Sequence, residues 1–240
     1  MWIENAGKVR ALLLAALFVS IGGCDSGAAP PQAPVTASDA PGRQPPESRY
    51  LMDPERKRVW SLTRDGVFLH DRRTPAKIME VHLPGWHWAG SPYGCLPDLA
   101  LGPKGEVVVT SDVLPTLWRI DPDTLAVSVH PLALDADADA DKDIGFSGLA
   151  YASDYGAFFA VSYSHGSLWR IDPLLTRAQK IPLSAPVPKA CALAVRPRIA
   201  QQTGKRPAGL CVVTPQGSWA TDLAPDQRSA YLRTESCTAR

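Results

Sequence analysis

The sequence predicts an all-β protein, a β-propeller of about four four-stranded antiparallel blades built on repeats of about 50 residues. Three observations predict it. One short pattern recurs: Leu117-Trp118-Arg119-Ile120-Asp121-Pro122 matches Leu168-Trp169-Arg170-Ile171-Asp172-Pro173, with weaker copies at Val67-Phe68-Leu69-His70-Asp71 and Ser218-Trp219-Ala220-Thr221-Asp222. The step is regular, with the aromatic at 68, 118, 169 and 219 and the aspartate at 71, 121, 172 and 222, so both series advance by 50, 51 and 50. Each repeat also reads as four short apolar strands broken by Gly and Pro turns.

The chain begins with an address. Lys8 and Arg10 precede an apolar run of 11 residues, 11–21. That is too short for a bilayer, which takes about 20, and fits the apolar region of a secretory signal over residues 1–23. The run ends Ile21-Gly22-Gly23-Cys24, which resembles the lipobox of bacterial lipoproteins. The resemblance implies cleavage before Cys24, acylation of its thiol with palmitate-type chains, and a lipid-anchored protein of the cell envelope facing the periplasm. Asp25 directly after the cysteine resembles an inner-membrane retention signal.

Residues 24–48 form a Pro/Ala/Ser-rich stretch, with prolines at 30, 31, 34, 41, 45 and 46. It has little apolar surface to bury, and its prolines withhold ladder donors, so it reads as an extended, semi-stiff tether. Residues 49–240 are the propeller domain, with blades over roughly 49–85, 96–134, 146–184 and 190–234. Without the signal segment the chain carries 23 basic and 23 acidic residues. That balance gives no electrostatic reason to expect nucleic acid as a partner.

Within blade two, Leu99-Ala100-Leu101-Gly102 turns at Pro103-Lys104-Gly105 into Val107-Val108-Val109-Thr110, then the Trp-Arg-Ile-Asp strand, then Ala126 to His130. Blade three repeats this with Leu149-Ala150-Tyr151, Phe158 to Val161, Leu168 to Asp172 and Gln179 to Leu183. The first two strands are apolar on both faces, as inner strands between neighbouring sheets would be. Strand alternation sends Trp118 and Ile120 to one face and Leu117 and Arg119 to the other. The repeated tryptophans are therefore expected to fill the gaps between blades, and the aspartates before Pro122 and Pro173 to bond the amides of their own turns.

The Leu99-to-Thr110 hairpin is similar to the inner hairpin of the broad gluconolactonase/regucalcin-type and NHL-type propeller group, and the Trp-Arg-Ile-Asp strand is similar too. The likeness runs over residues 49–233 and is generic to blades. It implies a propeller, while four countable repeats are fewer than those families carry. The expectation is a small closed ring, or an open array completed by a partner, with closure favoured because exposed sheet edges invite association. In the lactonases a glutamate, an asparagine and an aspartate at inner-strand starts hold a divalent metal. Here the matching stretch is Leu96-Pro97-Asp98, without the asparagine, and only Glu47, in the tether, could supply the glutamate.

Besides Cys24 there are four cysteines, at 95, 191, 211 and 237. In an exported domain they suggest two disulfides with three possible connectivities. The preferred pairing is Cys95–Cys191, joining the starts of two repeats, and Cys211–Cys237, pinning the C-terminal tail. No nucleophile elbow, metalloprotease helix, phosphate loop, dinucleotide fingerprint or haem motif occurs, so no catalytic residue is assigned.

Aromatic and histidine residues in presumed loops are the candidate ligand-binding set: Trp86, His87, Trp88 and Tyr93 between blades one and two, and Tyr155, Tyr163 and His165 in blade three. They would either line a flat-walled pocket or plug one mouth of the ring. The run Asp137, Asp139, Asp141 and Asp143, preceded by Asp135, resembles the start of a calcium loop, so Ca2+ is the one cofactor it suggests. Counting from Asp137, Lys142 takes the sixth position and Gly148 the twelfth, where such loops need glycine and glutamate. A solvated linker fits the run better.

The function expected from all this is a membrane-anchored envelope lipoprotein whose propeller acts as a non-enzymatic binding or scaffold module for another envelope protein or a small ligand. The alternative is a divergent metal-dependent hydrolase of the lactonase type.

Overall fold

The computed structural model describes residues 48–71, 77–87, 89, 95–135, 145–187, 189–196, 209–223, 229–233 and 237. The signal segment, Cys24, the tether up to residue 47, Trp88, Tyr93 and the run Asp137, Asp139, Asp141 and Asp143 lie outside them.

The described chain is four antiparallel sheets arranged as a four-bladed β-propeller. Blade 1 comprises β1 (Ser48–Asp53), β2 (Arg58–Thr63), β3 (Gly66–Asp71) and β4 (Lys77–Val81). Blade 2 comprises β5 (Leu99–Leu101), β6 (Val107–Val109), β7 (Thr116–Ile120) and β8 (Val127–Pro131), followed by the short β9 (Ala133–Asp135). Blade 3 is β10 (Gly148–Ala152), β11 (Ala157–Val161), β12 (Leu168–Ile171) and β13 (Arg177–Ile181). Blade 4 is β14 (Ala192–Arg196), β15 (Gly209–Thr214), β16 (Gly217–Leu223) and β17 (Ala230–Arg233). In every blade the strands lie side by side in chain order. The exception to the count is β9, which leaves blade 2 and adds in parallel to the outer strand β13 of blade 3.

Period-2 alternation decides what fills the gaps between blades. Trp118 and Ile120 of β7 join Trp60, Leu62 and Leu69 in the buried cluster between blades 1 and 2. Leu117 points the other way, into the cluster between blades 2 and 3 with Phe146, Trp169 and Ile171. Leu168 in turn meets Leu193, Leu210 and Val212 between blades 3 and 4. Trp118 and Trp169 are fully buried, as the repeat required. Trp219 departs from them: it stands close to the Thr214–Gly217 hairpin end, opposite Val212, and stays 36% exposed.

Among the described residues no buried apolar cluster joins blade 4 to blade 1. Leu51 of β1 packs toward blade 2, so Tyr50 and Met52 face the other way, where they are 70% and 47% exposed. A polar link joins the two blades at this seam. Arg49 donates to the Cys191 carbonyl just ahead of β14. The disulfides have the expected pairing, Cys95–Cys191 with Cα atoms 5.3 Å apart and Cys211–Cys237 at 6.0 Å. The second ties the tail to the face of β15 turned away from blade 3.

The turn aspartates behave as expected in blades 2 and 3. Asp121 accepts from the amides of Asp123 and Thr124 at 3.0 and 2.7 Å. Asp172 accepts from those of Leu174 and Thr176 at 2.8 and 3.1 Å. These bonds help to hold Leu125 and Leu175 at φ of 59°, a conformation that non-glycine residues seldom adopt. Asp222 corrects the expectation. Leu223 stands in place of the repeat's proline and β16 runs on to include it, and the Asp222 carboxylate pairs with Arg196 at 2.6 Å, while the residues after Leu223 lie outside the described ones.

Candidate functional site: a fastened axis and a cavity on blade 3

Arg49, Asp98 and Ser147 stand 49 residues apart at the starts of three successive blades. The structure brings them to the axis, where each reaches another blade. The Asp98 carboxylate accepts the Leu99 amide at 2.9 Å and, across the blade interface, the Leu149 amide at 3.0 Å. Thr110 braces the Asp98 backbone, its Oγ1 accepting the Asp98 amide at 2.8 Å. Ser147 donates to the Ala190 carbonyl ahead of blade 4, and Arg49 donates to that of Cys191. Burial pushes the Asp98 carboxyl above its ordinary value, against the opposing pull of the Arg49 charge and of the Leu149 and Leu99 amides.

This arrangement is a fastener, and it does not fit a divalent metal. Both Asp98 oxygens are engaged by backbone N–H groups, and the nearest formal charge is a guanidinium, which a cation would have to displace. Among the described residues no group of three or more His, Cys, Asp or Glu side chains could hold a metal ion.

One carboxyl near this end is less fully satisfied, its own backbone amide opposing the effect of burial. Asp112 lies in the loop after β6 and is only 8% exposed. Its Oδ1 has no hydrogen-bond partner among the described residues. Burial raises its pKa to about 6.

A cavity of about 500 Å³ opens beside blade 3. Its polar wall is His165, Ser167, Gln179 and Lys180, and its apolar wall is formed by Ile181, Pro182 and Leu183. Strands β12 and β13 give these positions a rigid base. The loop between them and β11 is clamped by Gly166, whose amide donates to the Ser162 carbonyl at 3.1 Å and whose carbonyl accepts the Val187 amide at 2.9 Å. A Cβ on Gly166 would come within 2.6 Å of the Val187 carbonyl oxygen, and its φ is +60°, so glycine is required there. Ser167 Oγ accepts the Trp169 indole N–H at 2.8 Å, which ties the cavity floor to the core tryptophan.

The aromatic set expected from sequence is divided by the fold. Trp86 is half-buried, packs on the cluster between blades 1 and 2, and donates its indole N–H to the Thr110 carbonyl at 3.1 Å, so it acts as a wedge. His87 next to it is exposed. Tyr163 and His165 lie in the loop after β11, and His165 reaches the cavity. Tyr155 sits at the opposite end of the same blade, in the β10–β11 connection, packed edge-on to Phe159 with ring centres 5.7 Å apart. Tyr155 and Tyr163 are close in the chain, but the five-residue strand β11 separates them and puts them at opposite ends of the blade. Sequence reasoning missed Arg49, Ser147 and Asp112, and the cavity residues Ser167, Gln179 and Lys180. The repeat step, applied to polar residues as it was to tryptophans, would have found the first two.

No protein-family model matches this chain, and no curated protein does. Solved structures share its fold. An auxiliary nutrient binding protein from Bacteroides thetaiotaomicron matches over 80% of this chain and 42% of its own, at 11% identity and a TM-score of 0.52. The dihydro-heme d1 dehydrogenase NirN matches over 80% and 36%, at 18% identity and a TM-score of 0.48. Virginiamycin B lyase from Staphylococcus aureus matches over 79% and 55%, at 13% identity and a TM-score of 0.45. All three are less than 25% identical to this chain, and the likeness is one of fold. This chain spans 36–55% of the length of these three proteins. Among the described residues no helix is long and apolar enough to cross a membrane.

Proposed function

We propose that the protein is an envelope lipoprotein, anchored through Cys24 and facing the periplasm, whose propeller is a non-enzymatic binding or scaffold module. Asp25 assigns it to the inner membrane. The blade 3 cavity is the site at which it takes a small polar ligand or a partner protein's side chain. The commitment of Asp98 carries this reading. The Asp98 carboxylate, at the position where the lactonase resemblance would look for a metal ligand, is spent on joining blades. The mixed polar and apolar cavity, by contrast, is built on rigid strands and left for recognition.

The test is an affinity capture from gently solubilised membranes with the full chain, its Cys24→Ala form and a Gln179→Ala, His165→Ala form. Capture of one specific envelope protein or small ligand, lost in the cavity form, is the expected result. Divalent-metal-dependent lactone hydrolysis by the purified chain would overturn the binding role. Equal labelling of wild type and Cys24→Ala with a palmitate analogue would overturn the anchor.

A further inference from the structure

Two grooves of the propeller share a frame and are filled differently. Each has, on one side, the turn joining a blade's first two strands and, on the other, the Asp-Pro turn of the next blade. The positive-φ residues Lys57 (54°) and Gly105 (78°) align the two first-strand turns, which puts Lys104 where blade 1 has Arg56. Asp121-Pro122-Asp123 against Asp172-Pro173-Leu174 aligns the facing turns, which puts Leu174 where blade 2 has Asp123.

Between blades 1 and 2 the chain's own charges meet. Arg56 Nε reaches the Asp123 carboxylate at 3.0 Å, and its Nη1 lies 3.7 Å from that of Asp53. Arg58 Nη1 donates to the Pro122 carbonyl at 2.8 Å and so links the two blades.

Between blades 2 and 3 the link recurs, and the charge partner does not. Arg119 Nη2 donates to the Pro173 carbonyl at 2.8 Å, while its Nε has no hydrogen-bond partner among the described residues. Neither Arg119 nor Lys104 makes an ion pair among those residues. Leu174, standing in the place of the carboxylate, is 70% exposed. A cavity of about 590 Å³ opens here, with Lys104, Arg119, Pro173 and Leu174 in its walls.

The carboxylates that also line this cavity are committed elsewhere. Glu106 accepts the Lys104 backbone amide at 2.8 Å, Asp121 accepts amides of its own turn, and Asp123 is held by Arg56. A guanidinium and an ammonium on one space, beside an exposed leucine, match a ligand with a carboxylate and an apolar body.

We propose that this cavity binds a small organic carboxylate, its charged group held by Arg119 and Lys104 and its apolar body lying on Leu174 and Pro173. The ligand supplies from outside what Asp123 supplies to Arg56 in the preceding groove. The site lies at the other end of β12 from the blade 3 cavity and does not rest on the role given to that cavity.

Titration of the acylated full chain in detergent micelles with hexanoate, followed by NMR at the Arg119 Nε–H, tests this. Acetate offers the charge without the body, and 1-hexanol the body without the charge. Leu174→Asp rebuilds the carboxylate of the first groove, and Lys104→Gln removes one cation. Both side chains are exposed, so neither change disturbs the core. The expected result is a saturable shift with hexanoate in wild type. Binding should weaken about tenfold or more for acetate, for hexanol, and for hexanoate in either variant. The absence of a saturable shift with hexanoate would overturn the proposal. So would hexanol binding as tightly as hexanoate, or either variant binding hexanoate as tightly as wild type.

Discussion

The interface between blades 2 and 3 and the seam between blades 4 and 1 join the same kind of sheet by different means. Phe146, Trp169 and Ile171 are completely buried in the first. At the second, Tyr50 and Met52 remain exposed, and the link described there is the Arg49 bond to the Cys191 carbonyl, while the Cys211–Cys237 disulfide holds the tail on blade 4. Apolar filling serves where the chain passes directly from one blade to the next. The seam brings together the first and last blades, and the contact described there is a directional hydrogen bond. The contrast also separates roles at the axis, where Asp98 and Arg49 act as fasteners between blades.

The contrast can be broken first at Trp169. Trp169→Ala empties a completely buried position of the repeat and should cost about 3–5 kcal/mol, read as a shift in denaturant midpoint. An unchanged midpoint would remove the apolar filling from the account. At the seam, replacing Cys211 and Cys237 together by serine should cost about 3 kcal/mol for a crosslink of 26-residue separation, again by denaturant unfolding under oxidising conditions.

Asp112 sharpens the comparison from the other side, because it is a liability next to a well-filled interface. Its pKa in the folded protein is about 6, raised by burial above the ordinary 3.8. Its favourable contribution is therefore complete below pH 3.8 and lost as pH climbs through about 6. Asp112→Asn should abolish that slope and leave the variant more stable than wild type by about 3 kcal/mol at pH 8. Stability–pH curves of the two proteins that stay parallel would contradict the assignment. The smallest effect is expected at Tyr50, where Tyr50→Ser should change stability by no more than about 0.5 kcal/mol, checked in the same denaturant series.

Much of this fold was legible in the sequence because the features that carry it repeat. Trp118 and Trp169, the alternation of Leu117 with Trp118, the turn role of Asp121 and Asp172, and the preferred disulfides all follow from aligning one blade on the next. Legibility failed where a position departs from the repeat for a local reason. Asp222 pairs with Arg196 where Leu223 replaces the repeat's proline, and Trp219 stayed exposed because it stands near a hairpin end. The site was less legible. Tyr155 and Tyr163 are close in the chain and lie at opposite ends of a blade, while His165, Gln179 and Lys180 converge only once β12 and β13 pair. Asp112 gave no signal, since neither composition nor spacing reveals that a loop carboxyl will be buried with one oxygen unpartnered among the described residues.

Native-state hydrogen exchange on the oxidised and the fully reduced protein tests the central contrast most directly. The account predicts that reduction accelerates exchange in β14 and β15 of blade 4, which the two disulfides hold at Cys191 and Cys211, while β11 and β12, packed in the apolar interface between blades 2 and 3, keep their protection. Acceleration spread evenly over all four blades, or none in any of them, would contradict it.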